Sequence, residues 1–120
     1  MFDHVQIKVK NLESSKRFYT AALAPLGLSI QYEGGGAVGI GPKDAPALWL
    51  GEGESRSAVH IAFSAKSRDA VKAFYEAALP AGGKDNGKPG VRKDYSPTYF
   101  AAFVKDPDGN NIEAVCHKEQ

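Results

Sequence analysis

The chain has 120 residues, with 15 basic and 14 acidic side chains interspersed to a formal charge of +1. That length suits one domain with a modest core, and either half would be marginal alone. No basic stripe points to nucleic acid, no apolar run reaches the length of a membrane span, and the single Cys116 excludes an internal disulfide and a four-cysteine zinc site. One cysteine and no leader-like apolar opening are the pattern of a cytoplasmic protein.

From Phe2 to Val9 the chain alternates, with Val5, Ile7 and Val9 on one face and His4, Gln6 and Lys8 on the other. Period two with β-branched residues on the apolar side predicts a half-buried strand. Asn11 fits an N-cap, Glu13 sits where a helix favours negative charge, and Leu12, Ser15, Phe18, Tyr19 and Ala22 recur at helical spacing until Ala24-Pro25-Leu26-Gly27 ends the helix. Short strands are expected at 28–33, 37–40 and 47–50, separated by glycine-bearing turns, and the polar stretch 51–57 reads as a linker.

The same grammar then returns. Residues 4–27 (HVQIKVKNLESSKRFYTAALAPLG) align without a gap on 60–83 (HIAFSAKSRDAVKAFYEAALPAGG). Val59, Ile61 and Phe63 alternate with His60, Ala62 and Ser64. Ser67 caps, Asp69 follows, and Val71, Phe74, Tyr75 and Ala78 form the stripe. A strand ending near Tyr95 and strands at 98–104 and 111–115 complete the second half, with Asp106-Pro107-Asp108-Gly109 as a turn. The stretch 82–97 has no counterpart of matching length and is expected to form a mobile flap or rim over a site. Self-similarity of this kind predicts an α+β fold of two tandem βαβββ modules, 1–52 and 57–117, in a single domain spanning 1–120. A curved mixed sheet around a concave cleft, helices on its outer face, is the expected arrangement.

Parity sends His4, His60 and Glu113 off the apolar faces of their strands. Two imidazoles and a carboxylate are a donor set for divalent iron, manganese or, with water, zinc. A surface His4, a hydrogen-bonded His60 and an exposed Glu113 are the competing reading. Gln6, Lys8, Ser64, Tyr99 and Phe103 share the parity that could line the same concavity. The repeated Phe18/Phe74 and Tyr19/Tyr75 fit core packing. Arg92, Lys93 and Tyr95 could meet an anionic substrate or form a solvated loop. Gly34-Gly35-Gly36 lacks the Lys and helix of a phosphate loop, and Cys116 and His117 point to opposite faces of a strand.

The opening HVQIKVKNLESSKRFYTAALAPLGL, the mid-chain HIAF and the closing FVKDPDGNNIEAV together resemble the vicinal oxygen chelate superfamily, the group of glyoxalase I, the extradiol dioxygenases and the fosfomycin and bleomycin resistance proteins. The resemblance covers nearly the whole chain. It implies metal ligands on the first and last strands of the two modules, here His4, His60 and Glu113, with iron, zinc, manganese or nickel as the metal. Setting 44–50 against 108–114 puts Trp49 opposite Glu113, and an indole cannot serve as a ligand. The missing carboxylate weighs most against glyoxalase-type lyase chemistry, while the remaining three residues match the dioxygenase set. The shorter binding members of the superfamily need no metal and use an aromatic-lined groove, for which Gln6, Trp49, Tyr95 and Tyr99 are the candidate substrate contacts. The resemblance therefore implies a family protein of unassigned reaction, either metal-dependent chemistry on a small substrate with vicinal oxygens or non-catalytic binding and sequestration of a small molecule, with no catalytic residue assigned. A homodimer is expected, with no nucleic-acid or membrane partner. Whether His4 and His60 meet within one chain or across two is open at this level.

Overall fold

The computed structural model describes residues 3–54 and 59–119. In chain order the first half contributes β1 (Val5–Val9), α1 (Leu12–Leu23), β2 (Ser29–Gly34), β3 (Ala37–Gly41) and β4 (Leu48–Glu52). The second contributes β5 (His60–Ser64), α2 (Arg68–Ala78), β6 (Lys84–Val91), β7 (Phe100–Lys105) and β8 (Asn111–Cys116). The expected strand-helix-strand-strand-strand order therefore occurs twice. The predicted strand start at Phe2 and the linker positions 55–57 lie outside the described residues.

Each helix begins as its capping chemistry dictates. The Asn11 side chain accepts from Ser14 N at 3.0 Å, and Ser67 Oγ accepts from Ala70 N at 3.1 Å, with Glu13 and Asp69 in the respective first turns. These bonds satisfy amide groups that a helix leaves without partners. After α1 a single 3-10 turn, Ala24–Leu26, ends at Gly27 with φ 83°, a left-handed conformation that glycine adopts without penalty.

The strands form two four-stranded sheets ordered β1-β4-β3-β2 and β5-β8-β7-β6. In each, the first and last strands of the unit pair in parallel at one end, and the remaining pairs are antiparallel. The register repeats the sequence alignment: Gln6 pairs with Trp49 in the first sheet as Ala62 pairs with Glu113 in the second. Trp49 thus stands at the structural position of Glu113.

The two units share one hydrophobic core. Phe18, Tyr19, Ala22 and Leu23 from α1 and Val71, Phe74 and Ala78 from α2 are fully buried among Val9, Leu50, Val104 and Ile112 of the sheets. The helices touch each other as well as their own sheets. Each fully buried large side chain stabilises by about 1.5–3 kcal/mol. A polar latch joins the units beside this core. Tyr19 Oη donates to Asp106 Oδ2 at 2.5 Å, and Ser15 Oγ donates to Asp108 Oδ2 at 3.4 Å. Asp106, in the predicted turn, also accepts from Asp108 N, Asn110 N and Asn110 Nδ2 at 2.8–2.9 Å.

Part of the expected flap is regular structure. Residues 84–91 form the edge strand β6, paired with β7, so the strand stops at Val91 rather than near Tyr95. Its sequence, KDNGKPGV, carries little strand propensity, and the pairing to β7 overrides that preference. An edge tolerates Pro89, which has no partner in the β7 register, and the register breaks at Gly87 and Gly90. No helix among the described residues is long and apolar enough to cross a membrane.

Candidate functional site

The helices cover one face of each sheet, and the other face carries the polar side chains of the strand alternation. On the second sheet, His60, Ala62 and Ser64 are exposed along β5 while Ile61 and Phe63 turn toward the core. Glu113 lies next to them on the central strand β8 and is 2 % exposed. It is buried despite leaving the apolar face, because strands on both sides and the side chains above close it off, so the exposed-Glu113 reading fails.

Both oxygens of this carboxylate are engaged. Oε1 lies 2.8 Å from His60 Nε2, and Oε2 accepts from Tyr99 Oη at 2.5 Å. A buried carboxylate held on both sides avoids the cost of an unpaired charge. Tyr99 has its phenol pushed up to about 12, first by desolvation and then by its hydrogen bond to the Glu113 charge. Around this chain of three lies an aromatic border. The Tyr99 ring meets Tyr95 at 4.9 Å and His117 at 5.2 Å, both edge to face, and the Phe103 ring lies 6.2 Å from His60.

His4 is elsewhere. Its Nδ1 lies 2.7 Å from Asp3 Oδ1, and among the described residues no three His, Cys, Asp or Glu side chains gather where they could hold a metal. Within one chain, then, His60 and Glu113 come together and His4 does not join them. His4 borders an apolar pocket of about 200 Å³ between the units, walled by Leu23, Leu28, Ile40, Leu48, Ile61 and Phe63.

The remaining predicted contacts divide between the two sheets. On the second, Tyr99 bonds to Glu113 and Tyr95 packs against the Tyr99 ring. Gln6 and Trp49 are partners on the first, where Trp49 tilts against Tyr32 at 5.5 Å and covers Gly39. A Cβ on Gly39 would lie 2.9 Å from the indole, so only glycine lets the ring lie flat on the sheet. Trp49 with Tyr32 is an aromatic surface standing where the second unit has its carboxylate.

Arg92, expected in the flap, reaches this face, a placement that strand parity did not give. Its guanidinium carbon sits 5.3 Å from the centroid of Phe103, on the same face as Glu113. The signal in the sequence was the pair of glycines in β6, which marks a close approach by another group.

The chain matches, over residues 1–114, the family described as the Glyoxalase/Bleomycin resistance protein/Dioxygenase superfamily, and it belongs to that family. Among solved structures it is similar to a glyoxalase/bleomycin resistance protein from Albidiferax ferrireducens T118, at 28% identity and TM-score 0.83, covering 97% of this chain and 98% of that one. It is similar also to a hypothetical protein from S. aureus, at 25% identity and TM-score 0.69, with 92% of each chain covered. A glyoxalase I mutant from Zea mays shares the fold at TM-score 0.75 and 22% identity, and this chain spans 46% of it. No curated protein matches the chain in sequence. The reaction is accordingly unassigned within the family.

Proposed function

We propose that the polar face of the second sheet is one half of a small-molecule site and that a second copy of the chain supplies the other half. In this reading His60 and Glu113 of one copy face the first sheet of another copy, so that His4, Gln6 and Trp49 approach them in a homodimer. The observation that carries the reading is the His60–Glu113–Tyr99 chain. A buried carboxylate oxygen and an imidazole nitrogen lie 2.8 Å apart, joined by a proton whose place a divalent ion would take. Two ligands of one metal at bond lengths of about 2.0–2.2 Å stand roughly 3 Å apart, so the pair fits a divalent ion. Tyr99 occupies the other oxygen of Glu113 and leaves Oε1 as the donor. His4 of a second copy would complete a two-histidine, one-carboxylate set suited to iron, manganese, zinc or nickel. Such an ion, when bound, supplies Lewis-acid or redox chemistry to a substrate offering two adjacent oxygens. The protein's part is to hold His60 and Glu113 in register, exclude water around the carboxylate and present Trp49 and Tyr99 as walls.

A second reading, binding without turnover, is favoured by Trp49. The indole removes one carboxylate from the site and adds an aromatic surface with Tyr32, which suits sequestration of a planar molecule. The buried Cys116 and the absence of other cysteines agree with a reducing, cytoplasmic setting.

Elemental analysis of untagged protein purified without chelator separates the two. The metal reading expects near one equivalent of a divalent metal per site and most of it lost in His60→Ala. Mixing His4→Ala and His60→Ala chains should restore about one intact site per mixed dimer, because one variant keeps each half. Protein that holds no metal and takes up none in calorimetry leaves the binding reading.

A further inference from the structure

We propose that Arg92, laid across Phe103 on the uncovered face of the second sheet, is an anion-recognition element, and that the molecule taken there is a small planar aromatic carboxylate. The inference rests on the reading of this face as the ligand site, and names the class of molecule it takes.

The fold spends several features on placing this one side chain. Arg92 follows directly after the edge strand β6. Its backbone N donates to Tyr99 O at 2.7 Å, and its carbonyl accepts from Tyr95 N at 3.0 Å and Ser96 N at 3.3 Å. That tight turn is the opposite of the loose flap expected from sequence. Nη2 donates to Lys88 O at 2.6 Å, which aims the guanidinium back over the strand. Two glycines clear the space. A Cβ on Gly87 would lie 2.9 Å from the Phe103 ring and 3.2 Å from Arg92 Nη2, and one on Gly90 would lie 3.1 Å from Nη1. Gly87 also holds φ at 151°, which few other residues adopt.

The charge so placed is uncompensated. Among the described residues the ion pairs are His4 with Asp3, Lys16 with Glu33 and His60 with Glu113, so no carboxylate lies within 4.0 Å of Arg92. Its other N–H donors have no acceptor among the described residues. A planar guanidinium with free donors, held against an aromatic face, matches a carboxylate bidentately. Glu113 does not take up these donors: its oxygens bond to His60 and Tyr99, and it makes no ion pair with the guanidinium. Planarity follows from the walls. Phe103, Tyr99, Tyr95 and His117 offer ring faces and edges around the same surface, and Tyr95 is 66 % exposed with its ring available to a ligand.

The test is calorimetric titration of the full chain, metal-free, with benzoate, the neutral isostere benzamide and the non-planar cyclohexanecarboxylate. Benzoate is expected to bind roughly tenfold tighter than benzamide and several-fold tighter than cyclohexanecarboxylate. Arg92→Gln should bring benzoate and benzamide to within about twofold of each other, with far-UV circular dichroism unchanged. Arg92→Lys, which keeps the charge and loses the planar fork, should retain part of the preference. Should Arg92→Gln not fold, the wild-type salt response decides: benzoate affinity must fall with added chloride while benzamide affinity does not. Equal binding of benzoate and benzamide by the wild type, binding of neither, or a tenfold preference that survives Arg92→Gln overturns the proposal. The metal reading is judged separately, from metal content. A charge preference in protein that takes up no metal upholds this inference and removes the metal, whereas metal uptake without any charge preference removes this inference alone.

Discussion

Tyr19 and Tyr99 are each a phenol donating to a buried carboxylate, yet they serve different ends. Tyr99 steadies Glu113 at the edge of an open face, while Tyr19 ties the first unit to Asp106 of the second inside the core. Burial first, then the neighbouring Asp106 charge, holds the Tyr19 hydroxyl far above the usual tyrosine range. A phenol whose folded value is raised contributes stability below its unfolded value of about 10, and that contribution is lost as pH rises beyond it. In a spectrophotometric titration at 295 nm, Tyr19 should therefore be the last of the five tyrosines to ionise, later than Tyr99, whose phenol is held at about 12, and should stay un-ionised until the protein unfolds. Tyr19→Phe should abolish that delayed class. It removes one hydrogen bond to an ionised group, so stability should fall by about 1.5–3 kcal/mol in urea denaturation at neutral pH.

At the scale of elements, the two helices begin alike, on a side-chain oxygen that accepts from the amide three residues on. For α1 that oxygen belongs to Asn11, which is exposed and makes no other side-chain bond among those described. Asn11→Ala should cost about 0.5–2 kcal/mol, read as a lower denaturant midpoint with an unchanged m-value. The same change at Ser67 should cost a similar amount, since the geometry repeats. β6 obeys a different logic. Its residues carry no strand signal, and it exists because β7 presents a free edge of backbone donors and acceptors to pair with. The irregular register at Gly87 and Gly90 then becomes useful, because the gap it leaves is where Arg92 lies.

The molecule as a whole is two units back to back through their helices, with one apolar core between them and a polar sheet face on each. Gly83 sits at that junction. A Cβ there would lie 2.7 Å from Phe18 Cε1 of the first unit and 2.8 Å from the Ala78 carbonyl of the second. A backbone oxygen cannot swing aside as a flexible side chain can. Gly83→Ala should destabilise by roughly 1–3 kcal/mol through overpacking. Because the core is shared, the loss should appear as one transition, with Trp49 fluorescence in the first unit and far-UV circular dichroism coinciding on heating. Two separate transitions would show that the units fold independently. The same arrangement explains why His4 and His60, equivalent in the repeat, are apart in one chain: packing the units through their helices turns each polar face toward a different side.

What the sequence determined by itself was everything governed by short-range rules: period-two alternation in β1 and β5, the caps at Asn11 and Ser67, the turn at Asp106 to Gly109, and the repeat that set the fold. It also placed Trp49 opposite Glu113, because register follows from alignment when a unit is duplicated. Tertiary structure decided what depends on long-range placement. It buried Glu113 between His60 and Tyr99, kept His4 away from that pair, made a strand of a segment without strand propensity, and carried Arg92 onto Phe103. Each of these is set by which surfaces meet in space, and alternation along a strand records only which way a side chain points, not what it will find there.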